Sequence, residues 1–233
     1  MKELRRPPGQ FARVGHRGAS ALAPENSLQA LQLAVELGCD MLEFDVLPLR
    51  DGTLVLAHSL RIARTSEIVT LDQALALAAE RFPKTGLQLD LKRRGCEQAV
   101  VAALRRHGVL ERSWVSAFDP RCLRRFAELE PDLPRSYTLP RDRLRISKRG
   151  PLAAAVRREL PRRLPALLER ARATAATLHH SITSAAAIQR AHDVGAPVYV
   201  WTVDDPQLAQ RLVAAEADGI ITNDPRIFSS LTP

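Results

Sequence analysis

The sequence has little cysteine, no long apolar run and no glycine-rich phosphate loop, and each shortage narrows what it can be. Its three cysteines (Cys39, Cys96, Cys122) are an odd number without metal-type spacing. That argues against a disulfide framework or a zinc site, and for reduced thiols. No stretch approaches the roughly 18 to 20 apolar residues a membrane helix needs. The charged opening Met1-Lys2-Glu3-Leu4-Arg5-Arg6 has no apolar run behind it, so a cleaved signal peptide is not expected and a cytoplasmic location is. No linker, repeat or low-complexity segment divides the chain, and one domain over residues 1–233 is expected.

The net charge of +8 is concentrated. Between Arg141 and Arg172 eleven basic residues face three acidic ones, so this segment carries the whole excess. Such a run suits either a solvated helix surface or a transient contact with a membrane surface. It contains no aromatic residue to stack on bases, so nucleic acid is not an expected partner.

Short apolar runs alternate with helical patterns along the whole chain. Strands are expected at Phe11–Gly15, Asp40–Leu47, Leu87–Leu91, Trp114–Phe118, Arg135–Leu139, Thr174–Leu178, Pro197–Val203 and Asp218–Thr222. A further extended segment, Thr53–Ala57, follows the Asp51-Gly52 turn. Helices are expected between the strands, including Glu25–Leu37 and two basic pieces, Leu152–Leu160 and Leu164–Ala173, broken by Pro161 and Pro165. Alternating strands and helices imply a parallel sheet. Eight units in fewer than 250 residues suggest a closed (β/α)8 barrel of the TIM type. A doubly wound open sheet is the alternative, but His16-Arg17-Gly18-Ala19 is not its phosphate fingerprint.

Within this frame one short stretch stands out. Glu43 and Asp45 lie two apart in an apolar strand and therefore share a face. Two buried carboxylates need partners, and these can be a hard divalent cation or a pair of buried basic side chains. His16, Glu43, Asp45, Asp90, Lys92, Ser116 and Trp201 all fall at or near the C-terminal ends of expected strands, which form the active-site face of such barrels. Of the other histidines, His107 and His192 read as solvated helix residues, and His179-His180 follows a strand and could reach the same face.

The ordered motifs are His16-Arg17-Gly18, Pro24-Glu25-Asn26-Ser27, Glu43-Phe44-Asp45, Asp51-Gly52 and His58, then Leu89-Asp90-Leu91-Lys92, Trp114-Val115-Ser116-Ala117-Phe118, Val200-Trp201-Thr202-Val203 and Asp218-Gly219-Ile220-Ile221-Thr222-Asn223-Asp224-Pro225. Together they resemble the glycerophosphodiester phosphodiesterase family from Gly15 to Pro225. The resemblance implies a TIM-type barrel and a metal-dependent hydrolysis of glycerophosphodiesters to sn-glycerol 3-phosphate and an alcohol. His16 and His58 would be the general acid and base, with the order open. Glu43, Asp45 and Asp90 would hold one Mg²⁺ or Ca²⁺. Arg17 and Lys92 would face the phosphate, with Glu25, Asn26, Ser116 and Trp201 as further substrate contacts. Three departures mark this chain: Ser59 replaces the family's usual Asp after the second histidine, Asp90 stands where Glu is usual, and Ser59–Thr70 is too short for the small subdomain commonly inserted there. A lysophospholipid-type phosphodiesterase on the same barrel, or a non-catalytic phosphodiester-binding barrel, are the rival readings.

Overall fold

The computed structural model describes residues 4–7, 9–64, 68–140 and 150–231. The first part of the basic segment, 141–149, thus lies outside the described residues. Among the described residues nine strands form one sheet: β1 (Ala12–His16), β2 (Met41–Pro48), β3 (Leu54–Leu56), β4 (Gly86–Leu91), β5 (Ser113–Ala117), β6 (Arg135–Leu139), β7 (Ala175–His179), β8 (Val198–Trp201) and β9 (Gly219–Thr222). Eight of them are parallel neighbours, and β1 pairs with both β2 and β9, which closes the barrel. The ninth strand, β3, folds back antiparallel on β2 after the Asp51-Gly52 turn. There Gly52 takes φ +88° and Asp51 accepts the Thr53 N–H. The expected (β/α)8 barrel is the observed fold.

Helices α1 (Leu28–Glu36), α2 (Leu71–Arg81), α3 (Glu97–Arg106), α4 (Pro120–Leu129), α5 (Gly150–Ala171), α6 (Ala185–His192) and α7 (Pro206–Ala214) connect the strands. A 3-10 segment, Pro225–Ser230, follows β9. Three starts share one chemistry: Asp119, Asp205 and Asp224 each cap a following Pro and accept the N–H two residues on, because proline has no N–H to satisfy at that place. Between β3 and α2 the described residues make only a short 3-10 turn at Ile62–Arg64. Ser59 begins that turn: its carbonyl accepts the Ala63 N–H at 3.0 Å.

Three local expectations are corrected. Helix α1 starts at Leu28 rather than Glu25, because Ser27 caps it by accepting the Ala30 N–H at 3.0 Å while Asn26 takes φ +61°. Helix α5 runs unbroken through Pro161 and Pro165. Its stripe of Leu160, Leu164, Leu168 and Ala171 is buried, and that packing outweighs the lost backbone donors. Arg157, Arg158, Arg162 and Arg163 lie on its exposed side. His192 is not solvated: its Nε2 sits 2.8 Å from Asp218 Oδ2, with both side chains almost fully buried.

The barrel interior is layered by strand parity. At the N-terminal end Ala12, Val14, Met41, Trp114, Ala175, Tyr199 and Ile221 pack with Leu4 as an apolar floor. Trp114 and Tyr199 pack at a tilt with ring centroids 4.6 Å apart, and Tyr199 Oη donates to the Leu4 carbonyl. A Cβ on Gly219 would lie 2.2 Å from the Tyr199 ring, so this floor requires glycine there. Two residues further along the same strands come His16, Glu43, Ser116, Thr177 and Trp201, on the same face by the period-two rule. The other strand face meets the helices in a separate, larger apolar core.

Truncation of the floor therefore tests the layering. Trp114→Ala removes a fully buried indole and is expected to cost about 3–5 kcal/mol of unfolding free energy, measured by urea denaturation. A loss under about 1 kcal/mol would mean the floor is not packed as described.

Candidate functional site

The site is assembled at the C-terminal ends of the barrel strands. It begins with the turn after β1, where Arg17 and Gly18 have φ values of +54° and +78°. Glycine is required at position 18, since a Cβ would lie 2.4 Å from the Ala30 backbone carbonyl carbon. The less favourable conformation of Arg17 is held by Glu43, whose Oε2 accepts the Arg17 backbone N–H at 2.9 Å. The turn swings the guanidinium inward. Its Nε lies 3.0 Å from Asp45 Oδ2, its Nη1 2.5 Å from Glu25 Oε2 and its Nη2 3.0 Å from His58 Nδ1.

Strand register sets the carboxylates. Asp45 pairs in register with Asp90, and His16 with Glu43. Glu43, Asp45 and Asp90 are all buried, with one oxygen from each lying within 4.8 Å of the others. Lys92 Nζ reaches Asp45 Oδ1 and Asp90 Oδ2, both at 2.5 Å. Asn26 clamps Asp45 from the other side, accepting the Asp45 N–H and donating to Oδ2, both at 3.0 Å.

The electrostatics follow from this packing. Burial alone would raise the Asp45 pKa, but Lys92, the His58 hydrogen bond and Arg17 together hold it well below the usual range. Burial would lower the Lys92 pKa, yet Asp45, Asp90 and Glu43 raise it. Glu43 lacks a comparable cation: burial, then the charges of Asp45 and Asp90, push its pKa upward. Three carboxylates thus share two fixed cations in a dry, oxygen-only cluster, one cation short of what full ionisation of Glu43 would need. A hard divalent cation fits that deficit and that donor set.

Both histidines face the same cleft, which is lined by His16, Arg17, Glu43, His58, Asp90, Lys92, Phe118 and Trp201 among others. His16 Nδ1 lies 2.7 Å from Asn223 Oδ1, and its Nε2 lies 3.9 Å from Glu43 Oε2. Burial, then the Arg17 charge, lowers its pKa to about 4, so the ring is neutral near pH 7. His58 is half-exposed at the cleft mouth, its Nδ1 3.3 Å from Asp45 Oδ2.

Of the residues expected from sequence, His16, His58, Glu43, Asp45, Asp90, Arg17, Lys92, Glu25, Asn26 and Trp201 come together here. Ser116 is placed differently from expectation. It is fully buried and donates its hydroxyl proton to Asp90 Oδ1 at 2.6 Å while accepting from Gln88 Nε2, so it orients a carboxylate instead of meeting a phosphate. His179 does not line the cleft but stands edge-on to Trp201, with centroids 5.1 Å apart. Phe118, edge-on to Trp201 at 5.8 Å, and Asn223 were not singled out in the sequence. Their signals are membership of the ordered motifs and a position just after a strand end.

Residues 16–88 and 68–227 match the profile of the glycerophosphoryl diester phosphodiesterase family. Among curated proteins, a glycerophosphodiester phosphodiesterase of Caldanaerobacter subterraneus subsp. tengcongensis is 26% identical, covering 94% of this chain and 96% of that one. YhdW of Bacillus subtilis is 28% identical, covering 91% and 94%. A solved Oleispira antarctica phosphodiesterase in complex with the product sn-glycerol-3-phosphate superposes with a TM-score of 0.74 at 22% identity, covering 94% and 95%.

The Ser116 contact generates a prediction about the carboxylate cluster. Ser116→Ala is expected to weaken Mg²⁺ or Ca²⁺ binding roughly 10- to 100-fold, read by titration calorimetry. Unchanged metal affinity would reduce Ser116 to a spacer.

Proposed function

The chain belongs to the glycerophosphoryl diester phosphodiesterase family and is an enzyme of that kind, and we propose that it hydrolyses small glycerophosphodiesters to sn-glycerol 3-phosphate and an alcohol, with a divalent cation and two histidines. The observation that carries this reading is the convergence of two imidazoles, two cations and three buried carboxylates on one cleft.

A phosphodiester resists attack because negative oxygens shield its phosphorus. Hydrolysis needs those oxygens neutralised, a base for the attacking hydroxyl and an acid for the departing alkoxide. Glu43, Asp45 and Asp90 would hold Mg²⁺ or Ca²⁺, which when bound polarises a phosphoryl oxygen and eases ionisation of the attacking hydroxyl. Arg17 and Lys92 add fixed positive charge beside it, Arg17 as a fork and Lys92 as a point charge. Glu25 and Asn26 act on this set by holding Arg17 and Asp45. His16 and His58, which line the same cleft, divide the proton transfers. Trp201 and Phe118 offer an apolar wall against the glycerol or alcohol carbons.

One feature favours a bulkier alcohol as a second reading. A groove beside the cleft is lined by His58, Leu91, Lys92, Arg93, Arg94, Phe118 and Asp119, among others. A lysophospholipid is the substrate class that would use it.

The test is glycerol 3-phosphate release from glycerophosphocholine and glycerophosphoethanolamine. Activity is expected with Mg²⁺ or Ca²⁺, to vanish with EDTA, and to fall roughly 10²- to 10⁴-fold in His16→Ala and His58→Ala. Faster cleavage of lysophosphatidylcholine would select the second reading. Phosphodiester binding without turnover, metal present, would make the protein a binder and overturn both.

A further inference from the structure

His16 reaches its partner through a side chain that is itself held. Asp204, in the loop after β8, accepts three hydrogen bonds: from Asn223 Nδ2 at 2.7 Å, from the Asn223 backbone N–H at 2.8 Å and from Thr222 Oγ1 at 2.9 Å. A carboxylate can only accept, so the atom of the Asn223 amide facing it must be the nitrogen. The amide oxygen then points the other way, to His16 Nδ1 at 2.7 Å and to the Ser20 hydroxyl at 2.9 Å. That oxygen carries no proton. The hydrogen in the His16 contact therefore belongs to Nδ1, and in the neutral ring the lone pair is on Nε2.

We propose that Asp204 and Asn223 are a positioning pair that fixes His16 in its Nδ1–H form, leaving Nε2 to take the proton of the attacking oxygen. The inference rests on the hydrolase reading above and assigns the two histidines. The attacking hydroxyl gives its proton to His16 Nε2 as its oxygen forms the new bond to phosphorus. The bond from phosphorus to the alcohol oxygen breaks, and that oxygen takes a proton from His58. With water as the attacking molecule the product is sn-glycerol 3-phosphate and exchange with solvent restores both rings; with the neighbouring glycerol hydroxyl the product is a cyclic phosphate, which water then opens with the two rings exchanging roles, and that restores them. An amide suits position 223 because it orients the imidazole without adding a charge beside it. An aspartate there would set two carboxylates face to face and draw a proton onto the ring.

The tautomer is directly measurable. Long-range ¹⁵N–¹H correlation spectra of the full chain labelled with [¹⁵N]histidine, with His16 assigned by comparison with His16→Gln, should show Nδ1 protonated and Nε2 bare in the wild type near pH 7. In Asn223→Leu the ring should lose that single form, and kcat should fall roughly 10- to 100-fold with KM little changed. Asp204→Asn, which keeps the loop polar but lets the amide turn, should give mixed tautomers and a smaller loss of kcat. It also serves where Asn223→Leu folds poorly. Wild-type His16 protonated at Nε2 alone, or either variant keeping the Nδ1–H form and full kcat, would overturn the proposal. The ring signals are read without substrate, so failure of the hydrolase reading shows separately, as wild type without turnover.

Discussion

A fully buried aspartate governs this end of the barrel. Asp45 has no exposed surface, and an unpaired charge at such a place costs several kcal/mol or about that order even after relaxation. Its neighbours answer that constraint. Lys92 reaches in from β4's end, Arg17 from the turn after β1 and Asn26 from the turn before α1. Arg17 and Asn26 both adopt positive φ, a conformation that is disfavoured away from glycine. Each of these residues is held by a hydrogen bond from the strand β2 that carries Asp45: Glu43 takes the Arg17 N–H, and the Asp45 N–H goes to Asn26. The irregular backbone of the site is thus the means by which donors are brought to one carboxylate.

The same strands build both the apolar floor and the rim that carries the candidate site. Val14 and His16, Met41 and Glu43, Trp114 and Ser116, Tyr199 and Trp201 are each two residues apart on one strand face. The first of each pair lies in the apolar floor, and the second lies at or just below the cleft. The buried, tilted contact of Trp114 with Tyr199 therefore lies directly beneath the polar layer. That arrangement suits a site needing fixed distances, because close-packed interiors deform little.

Much of this was legible from the chain. The period-two spacing of Glu43 and Asp45, the strand-end positions of His16, Asp90 and Lys92, and the alternation of strands and helices all act locally, so local pattern reveals them. What escaped depends on distant partners. Ser116 looked available to a ligand because nothing near it in sequence shows that Asp90 stands beside it on the next strand. His192 looked solvated because its partner Asp218 belongs to another element. The two prolines of α5 argued for a break, and only the buried leucine stripe against the barrel explains why the helix continues.

Asn223 belongs to that second class and shows why the closed barrel matters for chemistry. It lies 207 residues from His16 in sequence and meets it only because β9 returns to pair with β1, Thr222 beside Gly15. An open sheet of the same strands would leave β1 and β9 at opposite edges, and His16 would have no partner at Nδ1. Closure also brings the loop after β8 over the same seam, which places Asp204 on the far side of the amide. The pairing that removes the sheet's edges is therefore also the one that orients the imidazole.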